Sequence, residues 1–303
     1  MTPFVLLVAD GTAFFVGLAL VFIATTLFLR FRKGVVHAVL LAFVLVGMLL
    51  VAISATPLPI WAYLVWATIA FAGLILGNRG EPSKPLNCIT GIALLLTTVG
   101  LCLAEAPYHR RPHLTVANGK TIYVLGDSIS AGTIGSKLCC WPMVLKGIVP
   151  FRVVNLAQGA ATVERAIGQA KGITEPNSVV IVEVGGNDMI GGTDAAGFRS
   201  RYHYLVSSLR AAGHQVLIFE LPLFPFQNAY GEAQRSAVTK YGVSMLPKRC
   251  FAKVLGTTNA TLDGIHLSQE GHNALAKIIA AVITKEENRS APTSSTASEE
   301  NLK

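Results

Sequence analysis

Residues 121–130 read TIYVLGDSIS, and residues 178–188 read SVVIVEVGGND. Each stretch is a short apolar run, rich in β-branched residues, that ends in small and polar residues. Such runs are typical of strands that are covered on both faces of a sheet. In open parallel sheets, ligands bind outside the carboxyl ends of the strands. The two stretches therefore predict a parallel sheet with a functional site at one edge.

The flanking sequence extends this pattern from residue 120 to residue 285. RVVNLA at 152–157 and QVLIFELPL at 215–223 are two more strand-like runs. Strand–helix alternation indicates an α/β domain with helices on both faces of the sheet. The helix-like segments that alternate with these runs are 136–147, 160–172, 194–212, 228–242 and 269–285.

Three short strings in this region supply the residue types of one active site. GDSIS contains Ser128, GGND contains Asn187, and DGIH contains Asp263 and His266. A serine hydroxyl needs a neighbouring base, the base needs an orienting group, and the oxyanion that forms needs hydrogen-bond donors. The strings therefore predict nucleophilic catalysis by Ser128, with His266 as base and Asp263 as its orienting group.

Several of these polar residues also have structural interpretations. A serine between a strand and a helix is often an N-cap, and an asparagine after a strand is often a turn residue. Asp127 and Asp188 are interpreted as structural, because an aspartate in a turn usually accepts hydrogen bonds from nearby backbone N–H groups. Ser268 is expected to cap the last helix. The three strings together favour the catalytic interpretation of Ser128 and Asn187.

The strings resemble the blocks of the SGNH hydrolases, also called the GDSL esterase/lipase family. VLGDSIS at 124–130 matches the first block, VGGND at 184–188 the third, and DGIHLSQEGH at 263–272 the fifth. The resemblance covers residues 120–285. It implies a three-layer α/β/α fold with a flavodoxin-like parallel sheet, and it implies ester hydrolysis through Ser128, Asp263 and His266. The oxyanion hole that it implies consists of the Ser128 N–H, the Asn187 side chain and one N–H from the second block.

The second block departs from the family pattern. It reads NLAQGAAT at 155–162. When Asn155 and Thr162 are aligned with the family, Ala160 stands where the block glycine usually lies, and Gly159 lies one residue earlier. Either N–H could serve the oxyanion. Our hypothesis is that Ala160 is the donor, because Thr162 keeps the family spacing from Asn155.

The first 104 residues have a different composition. The chain is 52% hydrophobic and 14% charged, with a mean hydropathy of +0.53, and its apolar excess lies in residues 1–104. Apolar stretches at 12–29, 35–54, 60–77 and 88–104 each approach the roughly 20 residues that a membrane-spanning helix needs. Buried core helices are the alternative, but these stretches have almost no polar face. A cleaved signal peptide would explain the first stretch alone.

The basic residues predict how these four helices are oriented. Arg30, Arg32 and Lys33 follow the first stretch, and Arg79 and Lys84 follow the third. The positive-inside rule places both loops in the cytoplasm. A multi-pass cell-membrane protein then results, with residues 105–119 as a linker and the hydrolase domain outside the cytoplasm. A miscount of one span would place that domain in the cytoplasm instead. The polar residues 286–303 are expected to be a disordered tail.

Other classes of site and partner are not indicated. The histidines show no metal-ligand spacing, and Walker, Gly-x-Gly-x-x-Gly and His-Glu-x-x-His motifs are absent, so we expect no cofactor and no metal. Basic residues are scattered, which argues against nucleic-acid binding. Cys88 and Cys102 fall in the fourth stretch. In an oxidising compartment Cys139 or Cys140 could bond to Cys250, which the sequence leaves open.

Together these features predict a membrane-anchored serine esterase. Its partners would be the membrane and an ester substrate, either an acylated glycan or a lipid, with a short or acetyl chain expected. Two alternatives remain at this point. The enzyme could transfer the acyl group to a glycan hydroxyl, or the domain could be a catalytically inactive SGNH-like binding module.

Overall fold

Five parallel strands form the centre of the carboxyl-terminal part in a computed structural model of the chain, which describes residues 3–31, 34–54, 56–79, 84–132 and 138–285. Their order across the sheet is β3-β2-β4-β5-β6. A separate parallel pair joins β1 to β7. The strands are β1 Leu114–Val116, β2 Thr121–Gly126, β3 Arg152–Asn155, β4 Val179–Glu183, β5 Gln215–Phe219, β6 Ser244–Leu246 and β7 Ile283–Lys285.

Helices cover both faces of this sheet, as the alternation of strands and helices predicted. Alternate side chains of β2, such as Ile122 and Tyr123, enter two different hydrophobic cores. One core contains α7, α12 and α13, and the other contains α8, α10 and α11. The helices of this part are α6 Ser128–Ala131, α7 Trp141–Lys146, α8 Val163–Ala170, α9 Gly186–Ile190, α10 Ala195–Ala211, α11 Asn228–Tyr241, α12 Lys248–Gly256 and α13 Gln269–Val282.

Five further helices form the amino-terminal part. They are α1 Pro3–Ala9, α2 Thr12–Phe28, α3 Val35–Ile53, α4 Ile60–Asn78 and α5 Lys84–Glu105. Among the described residues, three of them, α3, α4 and the helix that starts at Lys84, are long and apolar enough to cross a membrane. The first predicted stretch, 12–29, forms α2, a shorter apolar helix of 17 residues. Large apolar side chains cover the outside of α3, α4 and α5, and this surface would be unstable in water.

Helix α2 lies at the centre of the bundle. Its side chains Phe14, Leu18 and Phe28 are fully buried. Where it crosses α3, a Cβ on Gly17 would come within 2.6 Å of the Gly47 carbonyl oxygen. Small residues at such crossings let membrane helices approach closely. The close crossing therefore depends on glycine in both helices.

Several local predictions require correction. The expected linker 105–119 contains a 3-10 turn at Ala106–His109 and strand β1. The last predicted helix, 269–285, ends at Val282, and the chain continues as β7 because these residues pair with β1. Strand β6 and helices α1 and α12 were not predicted. The expected tail, 286–303, lies outside the described residues.

The cysteine pairing considered for the hydrolase part is not formed. Cys139, Cys140 and Cys250 are free thiols. Cys140 is buried next to Asn155, whose side-chain amide donates to the Cys140 sulfur at 3.6 Å. Cys250 is buried in the core that contains α7, α12 and α13. These two buried thiols therefore serve as packing residues.

A buried ionic cluster joins the two parts of the chain. Arg235 of α11 donates to both carboxylate oxygens of Glu105, the last residue of α5, at 2.6 and 2.8 Å. It also donates to Glu220, which follows β5, at 2.6 Å. The Tyr108 ring lies 3.8 Å from the guanidinium carbon. Because all three charged groups are at most 5% exposed, each depends on the others for its solvation.

We expect Arg235→Met to destabilise the protein by about 3–5 kcal/mol, because it removes the cation that is hydrogen-bonded to both buried carboxylates. His109 and Lys248 remain nearby, but neither side chain bridges Glu105 and Glu220 as Arg235 does. Thermal unfolding in detergent would measure the loss. The matched control is Arg199→Met. Arg199 is 43% exposed and lies 3.6 Å from Glu232, so its removal should cost about 0–1 kcal/mol. Equal losses in the two variants would contradict the role assigned to Arg235.

Candidate active site

Ser128 lies at the carboxyl end of β2, where the strand gives way to a short helix. Asp127 caps this helix by accepting a hydrogen bond from the Ile129 N–H at 2.9 Å. Ser128 is the first helical residue and is half-buried. Among the described residues, its backbone N–H meets no acceptor. The residue thus offers both a hydroxyl and a free N–H at the edge of the sheet.

Asn187 follows β4, the strand next to β2, and lies close to Ser128. Its side-chain nitrogen donates to Asp127 Oδ2 and to the Ala161 carbonyl oxygen, both at 3.1 Å. Both amide hydrogens are therefore engaged within the protein. The next residue, Asp188, accepts from the Val163 N–H at 2.9 Å and so caps α8. Asp127 and Asp188 thus bind backbone N–H groups, as the sequence indicated.

Asp263 and His266 form a hydrogen-bonded pair in the loop before α13. His266 Nδ1 lies 2.7 Å from Asp263 Oδ2, and Asp263 Oδ1 accepts from the His266 N–H at 2.8 Å. The hydrogen bond from the imidazole, followed by those from the backbone N–H groups of His266 and Ile265, lowers the pKa of Asp263. The carboxylate is therefore ionised at neutral pH, and the imidazole has Nε2 left for another partner.

The loop brings His266 to the same edge of the sheet as Ser128. His272 Nδ1 of α13, the helix after this loop, accepts from the Trp141 N–H at 3.2 Å. Trp141 Nε1 donates to Ser130 Oγ at 3.0 Å. These contacts join the loop region to the short helix that begins at Ser128. Ser268, directly after the loop, caps α13 through the Gly271 N–H, as predicted.

The second-block residues have a conformation that explains the family preference for glycine. Ala160 has φ +54°, in the left-handed region that residues with a Cβ rarely adopt. Among the described residues, the N–H groups of Gly159 and Ala160 both lack acceptors. An added Cβ on Gly159 would meet open space. The strained position is therefore Ala160, which is where the alignment with Asn155 and Thr162 places the family glycine.

Sequence reasoning missed a buried polar network behind Ser128. Glu183, the last residue of β4, is hydrogen-bonded to Asp127 and accepts from Ser130 Oγ at 2.7 Å. Trp141 Nε1 donates to the same hydroxyl at 3.0 Å. Gln169 of α8 bonds to both the N–H and the carbonyl oxygen of Gly126. The available signal was Glu183 itself, a lone carboxyl residue inside an apolar strand.

Two adjacent buried carboxyl groups cannot both ionise at low cost. Burial, opposed by the hydrogen bond from the Ile129 N–H, raises the pKa of Asp127 to about 6. Burial and the neighbouring Asp127 charge raise the pKa of Glu183 well above its ordinary value. The hydrogen bond between the two groups raises the pKa of Glu183 and lowers that of Asp127, so Glu183 is the group that holds the shared proton and donates it to Asp127. In the described part of the chain, no group of histidine, cysteine and carboxylate side chains is arranged to hold a metal ion.

The same part of the chain matches a protein family. Residues 124–274 match the GDSL-like Lipase/Acylhydrolase family. This part of the chain belongs to that family. It is accordingly an SGNH-type hydrolase domain, and the protein is an enzyme that acts on ester bonds.

The individual relatives are only distantly similar to this chain in sequence. The chain is 25% identical over 169 residues to thioesterase 1/protease 1/lysophospholipase L1 of Escherichia coli K12. The matched region covers 53% of this chain and 81% of that protein. A crystal structure of TesA superposes with a TM-score of 0.48 at 23% identity, covering 54% of this chain and 97% of the other. A lipolytic G-D-S-L protein from Desulfitobacterium hafniense DCB-2 gives a TM-score of 0.47 at 21% identity, covering 54% and 99% of the two chains.

The carboxyl pair predicts an unusual dependence of stability on pH. Because the folded state binds these protons more tightly than the unfolded chain, the stability they contribute is complete below about pH 4 and is lost as the pH rises. The contribution of Asp127 is lost as the pH passes about 6, and that of Glu183 continues to fall above the ordinary glutamate pKa. Glu183→Gln keeps a donor toward Asp127 and removes one titrating group. We expect its melting temperature to fall less than that of the wild type between pH 5 and pH 8.

Glu164→Gln is the matched control for this experiment. The Glu164 side chain is 72% exposed and lies 3.9 Å from Arg201, so its replacement should leave the wild-type pH profile unchanged. Parallel profiles for the wild type and Glu183→Gln would show that the pair does not carry the shared proton.

Proposed function

We propose that the domain hydrolyses an acyl ester through a triad of Ser128, His266 and Asp263. The proposal rests on one observation above all. The hydrogen-bonded Asp263–His266 pair lies in the loop before α13, and His272 of α13 is joined through Trp141 to the short helix that begins at the half-buried Ser128. A pair of this kind holds the imidazole in the tautomer that can accept a proton at Nε2.

The reaction uses each residue in one role. Ser128 Oγ attacks the ester carbonyl carbon while its proton passes to His266 Nε2. The tetrahedral intermediate collapses, the bond to the alcohol oxygen breaks, and His266 returns the proton to the leaving alcohol. Water then attacks the acyl-enzyme, again giving its proton to His266. The bond to Ser128 Oγ breaks, His266 returns the proton to Oγ, and the acid is released. Asp263 stabilises the imidazolium at each step.

The oxyanion would be stabilised by groups that surround Ser128. The N–H of Ser128 and the N–H of Ala160, or of Gly159, have no acceptor among the described residues. The Asn187 amide contributes when the N–H that is bonded to the Ala161 carbonyl turns toward the oxyanion. Loss of one such donor typically costs about 10²–10³-fold in kcat.

We also propose that α2 to α5 anchor the enzyme in a membrane, with the hydrolase domain outside the cytoplasm. Arg30 and Arg79 lie at the helix ends opposite to Glu105, which contacts the hydrolase domain. The positive-inside rule then assigns the Arg30 end to the cytoplasm. Labelling of an introduced Ser200→Cys in intact cells, in a variant whose exposed native thiols are removed by Cys88→Ser and Cys139→Ser, tests this arrangement. Labelling only after permeabilisation would reverse it.

We expect Ser128→Ala to lower kcat for a soluble acetyl ester by about 10⁴-fold or more, because the residues of a triad act as a unit. His266→Ala should be similarly impaired. Folding is checked by the melting temperature, which should stay within a few degrees of the wild type. A fluorophosphonate probe should label the wild type and not Ser128→Ala. An unlabelled wild type would instead support the binding-module interpretation.

A second series tests the donor at the altered glycine block. Ala160→Gly relieves the left-handed strain and should keep kcat within about threefold, whereas Ala160→Val adds a β-branched side chain where even alanine is strained and should lower kcat by about 10²-fold. Gly159→Ala is the control, since an added Cβ there meets open space. If Gly159→Ala is inactive and Ala160→Val is active, the donor is Gly159.

A further inference from the structure

The carboxyl edge of the sheet, which carries Ser128, also contacts the ends of the apolar helices. Glu220, directly after β5, is linked through Arg235 to Glu105 at the end of α5. Lys248, the first residue of α12 and two residues after β6, lies against Gly11 at the start of α2. Strand β4 lies beside β5, and β2 beside β4. Because neighbouring strands are about 5 Å apart, Ser128 lies only a few strand widths from this junction.

The loop after β5 continues the junction toward the linker between α3 and α4. Asn228 Nδ2 donates to the Thr56 carbonyl oxygen at 2.9 Å. Pro57 is so close to Gly231 that an added Cβ there would lie 2.8 Å from the proline ring. The linker leads directly into α4, whose first residues, Ile60 and Trp61, are exposed and apolar. The start of α11 thus lies at the depth where α4 would enter the membrane.

The loops around this edge expose large apolar side chains. Phe224 and Phe226, just before Asn228, are 53% and 76% exposed. Ile190, three residues after Asn187, and Leu262 and Ile265, beside His266, are also exposed. We call these five residues the apolar rim: Ile190, Phe224, Phe226, Leu262 and Ile265. Phe226 has φ +68°, so its backbone is held in an unfavourable conformation that presents an aromatic ring outward.

We propose that the apolar rim rests on the membrane leaflet from which the spans emerge, and that the enzyme takes its ester from that leaflet, so that its substrate is a membrane lipid ester. This inference rests on the proposed function and narrows it. The contacts of Glu105, Thr56 and Gly11 with the carboxyl edge fix which side of the domain faces the leaflet. The rim residues on that side would lose unfavourable contact with water on entering the headgroup region.

The first test compares two substrates of the full-length protein in phosphatidylcholine vesicles. One is soluble p-nitrophenyl acetate, and the other is a 1-acyl lysophospholipid in the same vesicles. Phe224→Ser/Phe226→Ser should lower hydrolysis of the lipid by about tenfold or more and leave the acetyl ester within about twofold. The matched control is Ile148→Ser, an exposed apolar residue just before β3, at the opposite edge of the sheet. It should change neither rate.

A second measurement does not depend on activity. Phe226→Trp and Ile148→Trp are each reconstituted with brominated phosphatidylcholine, and the native tryptophans give the same background in both. Additional quenching in Phe226→Trp alone supports the inference. Equal quenching, or equal loss of both substrates in the double serine variant, overturns it. So does faster hydrolysis of a soluble acetylated oligosaccharide that the rim variant leaves unchanged. Absence of fluorophosphonate labelling in the wild type overturns the proposed function instead, and the quenching result stands separately.

Discussion

The guanidinium of Arg235 is the constraint on which the relation between the two parts of the chain depends. A buried cation is costly unless several acceptors replace its water, and here Glu105 and Glu220 accept four charge-assisted hydrogen bonds from Arg235. One acceptor belongs to the last apolar helix and the other follows a strand of the sheet. Separation of the two parts would leave at least one buried charge without its partner. An interaction of this kind fixes how the two parts are oriented more than it strengthens their association.

The candidate active site combines residues at the ends of buried strands with residues on an exposed loop. Ser128 and Asn187 stand at the ends of two adjacent buried strands, and their shared neighbour Asp127 is held by Glu183 from beneath. The Asp263 and His266 side chains are 55% and 37% exposed, on a loop that closes over the edge from the other side. The buried carboxyl pair lowers stability at neutral pH, but its hydrogen bonds hold the backbone around Ser128.

Features that depend on local pattern could be predicted from the sequence. The strands β2, β4 and β5 and the Ser128, Asn187 and His266 strings could be read directly, because fully buried strands and short catalytic strings are both contiguous. Strand β6 could not be predicted, because three residues are too few to show a periodic pattern. The pairing of β1 with β7, the Glu183 network and the Arg235 cluster depend on residues far apart in the chain. No local signal could indicate those partners.

The direction of the strands relative to the apolar helices is a consequence of chain geometry. After Glu105 the chain reaches the start of β2 at Thr121 through about 15 residues, including β1. An extended segment of ten residues spans about 33 Å, more than the roughly 20 Å of a six-residue strand. The segment is therefore long enough to reach the edge of the sheet that is farther from the apolar helices. Strand β2 starts at that edge and runs back toward the helices. Since the other four strands are parallel to β2, all carboxyl ends, and with them Ser128, must point to the side from which the chain emerged.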